Sequence, residues 1–291
     1  MNRIFPIEGA ALILVGIGVA AWALWGQDRR DDEVVAPPVE EGSPTAPGVR
    51  FVLGTMFSPT AGYERTQTFI QCLSEELGAE VELLQRETYK EANNLLSTGL
   101  GDVGLVCAGA TTDLAVRVAF KATLRLTSKE DGGRYRAVLL VRDEDPASSL
   151  ADLRGSSFAW VDPWSLTGYA ALRATLHGMG QDSDSFFGQA RFTYSHDRSV
   201  ESVRSGLVRA AVVDEVVVRS MEDTSGLKVV WESEYFPTPV FLVPKDRPDI
   251  TEALRRLGER PGCLEALGAD GLEPASWEDY DRVKDVVDAA R

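Results

Sequence analysis

The sequence predicts a two-lobed α/β protein swung on a two-segment hinge. Three observations carry this. Between residues 49 and 108, apolar runs of strand length alternate with helical spacings in the order β-α-β-α-β, with short connections. The same rhythm begins again after Gly155 and runs to Trp231. A further apolar run, Pro239 to Val243, then returns to the first unit, so the chain crosses out near 140 and back near 235.

Ahead of the folded part, residues 9–25 read GAALILVGIGVAAWALW without a charge. This length is the lower limit for a helix that spans a bilayer, and Trp22 and Trp25 cluster at one end as interfacial aromatics do. Two readings stand: an uncleaved signal anchor, or a signal peptide cut at a small-x-small site such as Ala21-Trp22-Ala23. No cysteine follows the run, which excludes a bacterial lipoprotein anchor. Residues 1–27 are therefore read as signal anchor or signal peptide. Residues 28–48, rich in Pro, Glu, Asp, Gly and Ser, are read as a flexible linker. Both readings place the globular part outside the cytoplasm, in the periplasm or on the outer face of the membrane, anchored or secreted.

Within the globular part, Val49 to Met56 is the first expected strand. Tyr63 to Leu77 carries helical spacing at Phe69, Ile70, Leu73 and Leu77. A strand at Glu80–Leu84, a helix at Thr88–Thr98 and a strand at Gly101–Ala108 complete the first unit, whose rhythm predicts a parallel sheet with helices on both faces. Tyr135 to Val141 is another strand. The second unit then runs as strands at 157–161, 191–194, 210–213 and 227–231, with helices at 167–177, 199–205 and 215–222 between them. Helices near 249–257 and 277–290 end the chain. Lobe 1 is thus expected over 49–140 and 235–291, and lobe 2 over 141–234.

The chain has 291 residues and a net charge of −15, with 44% apolar and 26% charged residues. That acidity argues against nucleic-acid binding, which needs a basic face. It leaves anion binding open, because a local set of N–H groups outweighs a distant global charge. With two histidines, a histidine-rich metal site has too few ligands. Cys72, Cys107 and Cys263 fit no metal or redox spacing. Their odd count points to free buried thiols, with one disulfide left open in an oxidising compartment.

Three stretches carry chemistry, each at a strand's carboxyl end, where such sheets bind ligands. Asp162-Pro163-Trp164-Ser165-Leu166-Thr167-Gly168-Tyr169 opens a helix. Ser165 is its expected N-cap, the N–H groups near Thr167, Gly168 and Tyr169 would face the cleft, and Gly168 would permit close approach. In Tyr194-Ser195-His196-Asp197-Arg198-Ser199, His196 offers a hydrogen bond or a charge change near neutral pH, with Asp197 or Ser199 as the helix cap. Asp214 closes the run Ala211-Val212-Val213 and is placed to accept a bond from a protonated ligand oxygen.

Taken together these stretches resemble the phosphate-, phosphite- and phosphonate-binding proteins of ABC importers, over roughly residues 50–245. The pattern Asp-Pro-x-Ser-x-Ser/Thr-Gly-Tyr is matched at Asp162, Pro163, Ser165, Thr167, Gly168 and Tyr169. Thr88-Tyr89-Lys90-Glu91, Leu150 to Gly155, Ser195-His196-Asp197 and Val213-Asp214 match further elements. The resemblance implies a type II periplasmic-binding-protein fold. It implies an oxyanion held by Ser165, Thr167 and Gly168, with Tyr89 closing from lobe 1 and Tyr169, Ser195, His196 and Asp214 lining the site. It further implies an ABC permease as partner, and no cofactor. Three departures stand out: Leu166 replaces a third hydroxyl residue, the loop Cys107 to Thr111 lacks an aromatic, and an apparent membrane anchor replaces a cleaved signal or lipidated cysteine. The expected function is a solute-binding protein that closes on a phosphonate-, phosphite- or phosphate-like anion. The alternative is a membrane-anchored sensing or accessory domain without a transport role. An enzyme built on Ser165, His196 and Asp214 lacks a nucleophile-elbow pattern and is not expected.

Overall fold

The computed structural model describes residues 48–54, 59–221 and 223–290. The apolar segment 9–25 and nearly all of the linker lie outside these residues. No helix among the described residues is long and apolar enough to cross a membrane.

The first lobe begins with β1 (Val49–Leu53), α1 (Pro59–Leu77), β2 (Val81–Gln85), α2 (Tyr89–Ser97) and β3 (Val103–Val106). These are the five expected elements, and β1 pairs in parallel with both β2 and β3. The start of α2 has a local cause. Thr88 accepts from the Glu91 amide while the Glu91 carboxylate accepts from the Thr88 amide, a reciprocal capping box. A 3-10 turn at Ala108–Thr112 and α3 (Leu114–Ala119) then lead to β4 (Phe120–Thr127), an alternating strand absent from the expected set.

The chain leaves the first lobe through β5 (Arg134–Tyr135) and enters the second with β6 (Ala137–Arg142). The second lobe continues with β7 (Ser157–Trp160), α4 (Ala171–Gly178), α5 (Ser183–Phe186), β8 (Gln189–Phe192) and α6 (His196–Arg204). It ends with β9 (Ala210–Asp214), α7 (Glu215–Arg219) and β10 (Leu227–Glu232). The return passes through β11 (Phe236–Pro237), which pairs antiparallel with β5. β12 (Val240–Pro244), α8 (Pro248–Leu257), β13 (Gly271–Pro274) and α9 (Asp281–Ala289) complete the described chain.

The first sheet has the order β13-β4-β12-β3-β1-β2 and the second β10-β6-β9-β7-β8. Neither is wholly parallel. β12 runs antiparallel to β3 and β4, and β6 antiparallel to β9 and β10. The strands that cross between lobes insert mid-sheet against the direction of their neighbours, which a reading of β-α-β rhythm alone does not anticipate. β6 pairs in the second sheet from Ala137.

One buried cluster fills the outer face of the first sheet around Phe51, Phe69 and Phe241, and another fills that of the second around Val138, Leu140 and Val213. A third is continuous across both lobes: Tyr89, Val106, Cys107 and Leu242 meet Leu139, Trp160, Leu166 and Leu172. The chain end ties the lobes further. Arg117 of the first lobe pairs with Asp281 and lies over the Trp277 ring, while Arg173 of α4 donates to the Ala290 carbonyl.

The cysteine expectation is corrected. Cys72 on α1 and Cys263 after α8 form a disulfide with Cα atoms 6.1 Å apart, and Cys107 is free and buried. The odd count hid this, because pairing depends on which elements the fold brings together across 191 positions.

Candidate ligand-binding site

The candidate residues stand at three strand-to-helix junctions of the second lobe, and the one after β7 faces the first lobe's α2 and its 3-10 turn. After β7 the chain turns at Asp162–Ser165 into a single π-helical turn, Leu166–Ala170, which runs on into α4. Ser165 is the expected cap: its Oγ accepts from the Gly168 amide at 2.9 Å. That amide is thereby satisfied within its own turn. A Cβ on Gly168 would lie 2.4 Å from Val161 Cβ, so packing on its own strand end requires the glycine.

Thr167 is fully buried and donates to Asp214 Oδ2 at 3.5 Å. Asp214 caps α7, its Oδ1 accepting from the Val216 amide at 2.7 Å. Burial outweighs these bonds and pushes its carboxyl pKa up to about 7. His196 opens α6, and its Nδ1 accepts from the Asp214 amide at 2.9 Å, leaving Nε2 to carry the proton. Burial drives its pKa down to about 3, so the expected charge change near neutral pH is replaced by a permanently neutral imidazole. Ser195 is the cap of α6, in place of Asp197 or Ser199. Its hydroxyl donates to Asp197 at 2.6 Å and accepts from the Arg198 amide.

Tyr169 goes elsewhere. Its ring packs edge-on to Trp160 and beside Phe192, with the Arg173 guanidinium over its face. Its position in the motif is explained by this aromatic packing and not by the cleft.

From the first lobe, Tyr89 is fully buried, and its backbone amide donates to Asp162 Oδ2 at 3.2 Å, a direct bond between lobes. Asp162 also accepts from the Trp164 amide at 2.7 Å, and burial raises its pKa. Gly109 lies against the Trp164 carbonyl and the Leu166 amide. The tertiary structure thus brings Tyr89, Thr167, Asp214 and His196 to one place and adds three residues not foreseen as lining it: Asp162, Cys107 and Tyr135. Asp162 stood inside the quoted motif and was legible there. Nothing local marks Tyr135, whose hydroxyl lies 3.5 Å from Cys107 Sγ. A cavity of about 20 Å3 adjoins Tyr135, Asp214 and Thr238, room for about one water.

Asp214 is buried uncharged below about pH 7 and His196 above about pH 3, and pH acts on them from opposite sides. Asp214, near 7 when folded and about 4 when unfolded, stabilises the fold fully below pH 4 and loses that contribution as pH rises through 7. His196, near 3 when folded and about 6.5 when unfolded, stabilises the fold above pH 6.5 and loses that as pH falls towards 3. The two slopes offset each other between about pH 4 and 6.5. Asp214→Asn, which keeps the cap, removes one slope. Urea unfolding at pH 4 and pH 8 should show the variant gaining on the order of 4 kcal/mol relative to the parent at the higher pH. A pH-independent difference would mean that Asp214 is ionised in the fold.

A family model for the periplasmic substrate-binding proteins of phosphonate ABC transporters matches residues 51–280. The phosphate-import protein PhnD of Mycolicibacterium smegmatis is 25% identical over 251 residues, covering 75% of this chain and 78% of that protein. Among solved structures, a binding-protein component of an ABC phosphonate transporter from Pseudomonas aeruginosa superposes with a TM-score of 0.75 at 16% identity, over 82% of this chain and 85% of the other. PhnD1 of Prochlorococcus marinus, in complex with methylphosphonate, gives 0.73 at 16% identity, over 82% and 96%. At such identity the two structures establish the shared fold.

Proposed function

This chain belongs to the periplasmic substrate-binding proteins of phosphonate ABC transporters, and from that premise we propose that it captures a small phosphorus oxyanion between Tyr89 of the first lobe and Thr167 and Asp214 of the second. The observation that carries this reading is the buried pairing of the Thr167 hydroxyl with a carboxyl whose pKa stands near 7. A phosphorus oxyanion inserted there takes the Thr167 O–H. It also shares one proton with Asp214, either donated by the carboxyl or accepted by the carboxylate from the ligand. Anion binding then needs no cation in the cleft. Neutral His196 supports the arrangement by holding the Asp214 backbone, and Ser165 by fixing the turn that carries Thr167.

Closure would be a rotation about the paired β5 and β11 segments. The Tyr89–Asp162 bond and the contact of Gly109 with the Trp164–Leu166 turn would form only in the closed arrangement. The closed form would then dock on an ABC permease. The family match favours this transport role over a sensing domain without one. Residues 9–25 are proposed to attach the protein to the membrane if uncleaved. N-terminal sequencing of the mature chain tests this, since a start after Ala23 would rule the anchor out.

The reading is tested by a thermal-shift and titration panel of phosphate, phosphite, methylphosphonate, 2-aminoethylphosphonate and sulfate. A ligand that binds only the native state raises the melting temperature. At least one phosphorus oxyanion should do so, and Thr167→Val should weaken its binding by about 1–3 kcal/mol, because a buried ligand charge loses its donor. Unchanged affinity in that variant would remove Thr167 from the site.

A further inference from the structure

We propose that Arg219 latches the closed cleft, a positioning residue that sets ligand affinity without touching the ligand. The inference rests on the oxyanion reading above and adds the residue that holds the two lobes shut around the anion. Arg219 ends α7 of the second lobe. Its guanidinium reaches two carboxylates of the first lobe: Nη1 lies 3.1 Å from Glu130, and Nη2 pairs with Asp131.

Each end of this contact is fixed to its own lobe. Glu130 and Asp131 sit in the turn after β4, which is closed by reciprocal backbone bonds between Ser128 and Gly132. The Lys129 amide donates to the Asp270 carboxylate at 3.0 Å, and the Asp270 amide donates to the Thr127 carbonyl. These bonds tie the turn to the edge of the first sheet, where β13 pairs with β4. On the other side, Asp214 caps α7, and Glu215 in its first turn pairs with Arg136 at 2.9 Å, just ahead of β6. One five-residue helix thus carries a proposed ligand-contacting residue at its start and the interlobe ion pair at its end. The helix also sits close on the first lobe, since a Cβ on Gly268 would lie 2.6 Å from Val216 Cγ1.

The two carboxylates are unequal. The Glu130 side chain is 75% exposed, and its pairing adds little. That of Asp131 is only 13% exposed, so its charge has lost most of its water and is costly to leave without a partner. Rotation about β5 and β11 would carry α7 away from the turn and return water to both groups. The ion pair therefore acts on closure, and through closure on how long the ligand stays.

The test is isothermal titration and stopped-flow dissociation of the full chain in detergent, with phosphate, phosphite and methylphosphonate as probes. It compares the parent with Arg219→Met, Asp131→Asn and the double variant, and small-angle scattering gives the lobe separation of each. Arg219→Met strands the Asp131 carboxylate and should weaken the probe that the parent binds by about tenfold, chiefly through faster dissociation. Its ligand-free form should scatter as more open than the parent. Asp131→Asn alone should cost about threefold. Added to Arg219→Met it removes the stranded charge and should restore a large part of the loss. A folded Arg219→Met with the parent's affinity overturns the latch, as does a double variant that binds no more tightly than Arg219→Met. A loss of affinity without a change in lobe separation also overturns it, by showing that Arg219 attracts the anion through space. If Arg219→Met does not fold, Asp131→Asn with the parent's affinity and dissociation rate overturns it. Failure of all three probes to bind the parent overturns both the inference and the reading beneath it.

Discussion

Gly109→Ala will hold the lobes apart and weaken oxyanion binding by about ten- to a hundredfold, with little loss of thermal stability. A Cβ at this position would lie 2.5 Å from the Trp164 carbonyl oxygen and 2.7 Å from the Leu166 amide nitrogen. Both are backbone atoms of the opposite lobe, so no side-chain rotation relieves the clash. The turn that carries them is held by Ser165 and by the interlobe packing of Leu166, which leaves rotation about the hinge as the least costly response. In the open arrangement the added methyl meets no such contact, and the separate cores of the two lobes persist. The cost falls on closure, and therefore on affinity. Titration calorimetry gives the affinity and small-angle scattering the lobe separation. An alanine variant that binds as tightly as the parent, with the parent's scattering profile, would show that Gly109 does not approach the second lobe during binding.

Loss of the Cys72–Cys263 bridge should lower stability by about 3–5 kcal/mol, equivalent to a fall in melting temperature of roughly 10 °C for a protein of this size. The bridge closes a loop of 191 positions that contains the entire second lobe. The chain-entropy cost of leaving that loop open in the unfolded state is near the upper end for a single disulfide. Arg256 and Arg260 pair with Glu75 and Glu76 across the same junction of α1 and α8, but these exposed pairs add little. Since both cysteines lie on the first lobe's outer side, away from the cleft, ligand affinity should be unchanged in Cys72→Ala/Cys263→Ala. Guanidinium unfolding of that variant and of reduced parent protein checks the effect. A midpoint that does not move with reductant would mean that the bridge does not form in the folded protein.

The features legible in the sequence are those fixed within a few residues. Thr88, Ser165 and Asp214 each cap a helix through bonds to amides two or three positions away, and the alternation of apolar runs places the strands they follow. The presence of two α/β lobes was equally plain, because a repeated β-α rhythm followed by a returning strand admits few topologies. Even there the local signal has limits. It identified Tyr169 with the cleft, although only the surrounding Trp160, Phe192 and Arg173 decide where that ring lies.

What the tertiary structure alone decided follows from contacts between residues far apart in the chain. The partner of Cys72 depends on how α1 and α8 pack, and the meeting of Cys107 with Tyr135 and the contact of Gly109 with the Trp164–Leu166 turn depend on the packing of segments far apart in the chain. So do the charge states of the site. An aspartate and a histidine titrate near 4 and 6.5 in any exposed sequence, and it is complete removal from water, a property of the packed fold, that makes Asp214 a carboxyl poised near neutral pH and His196 a neutral support.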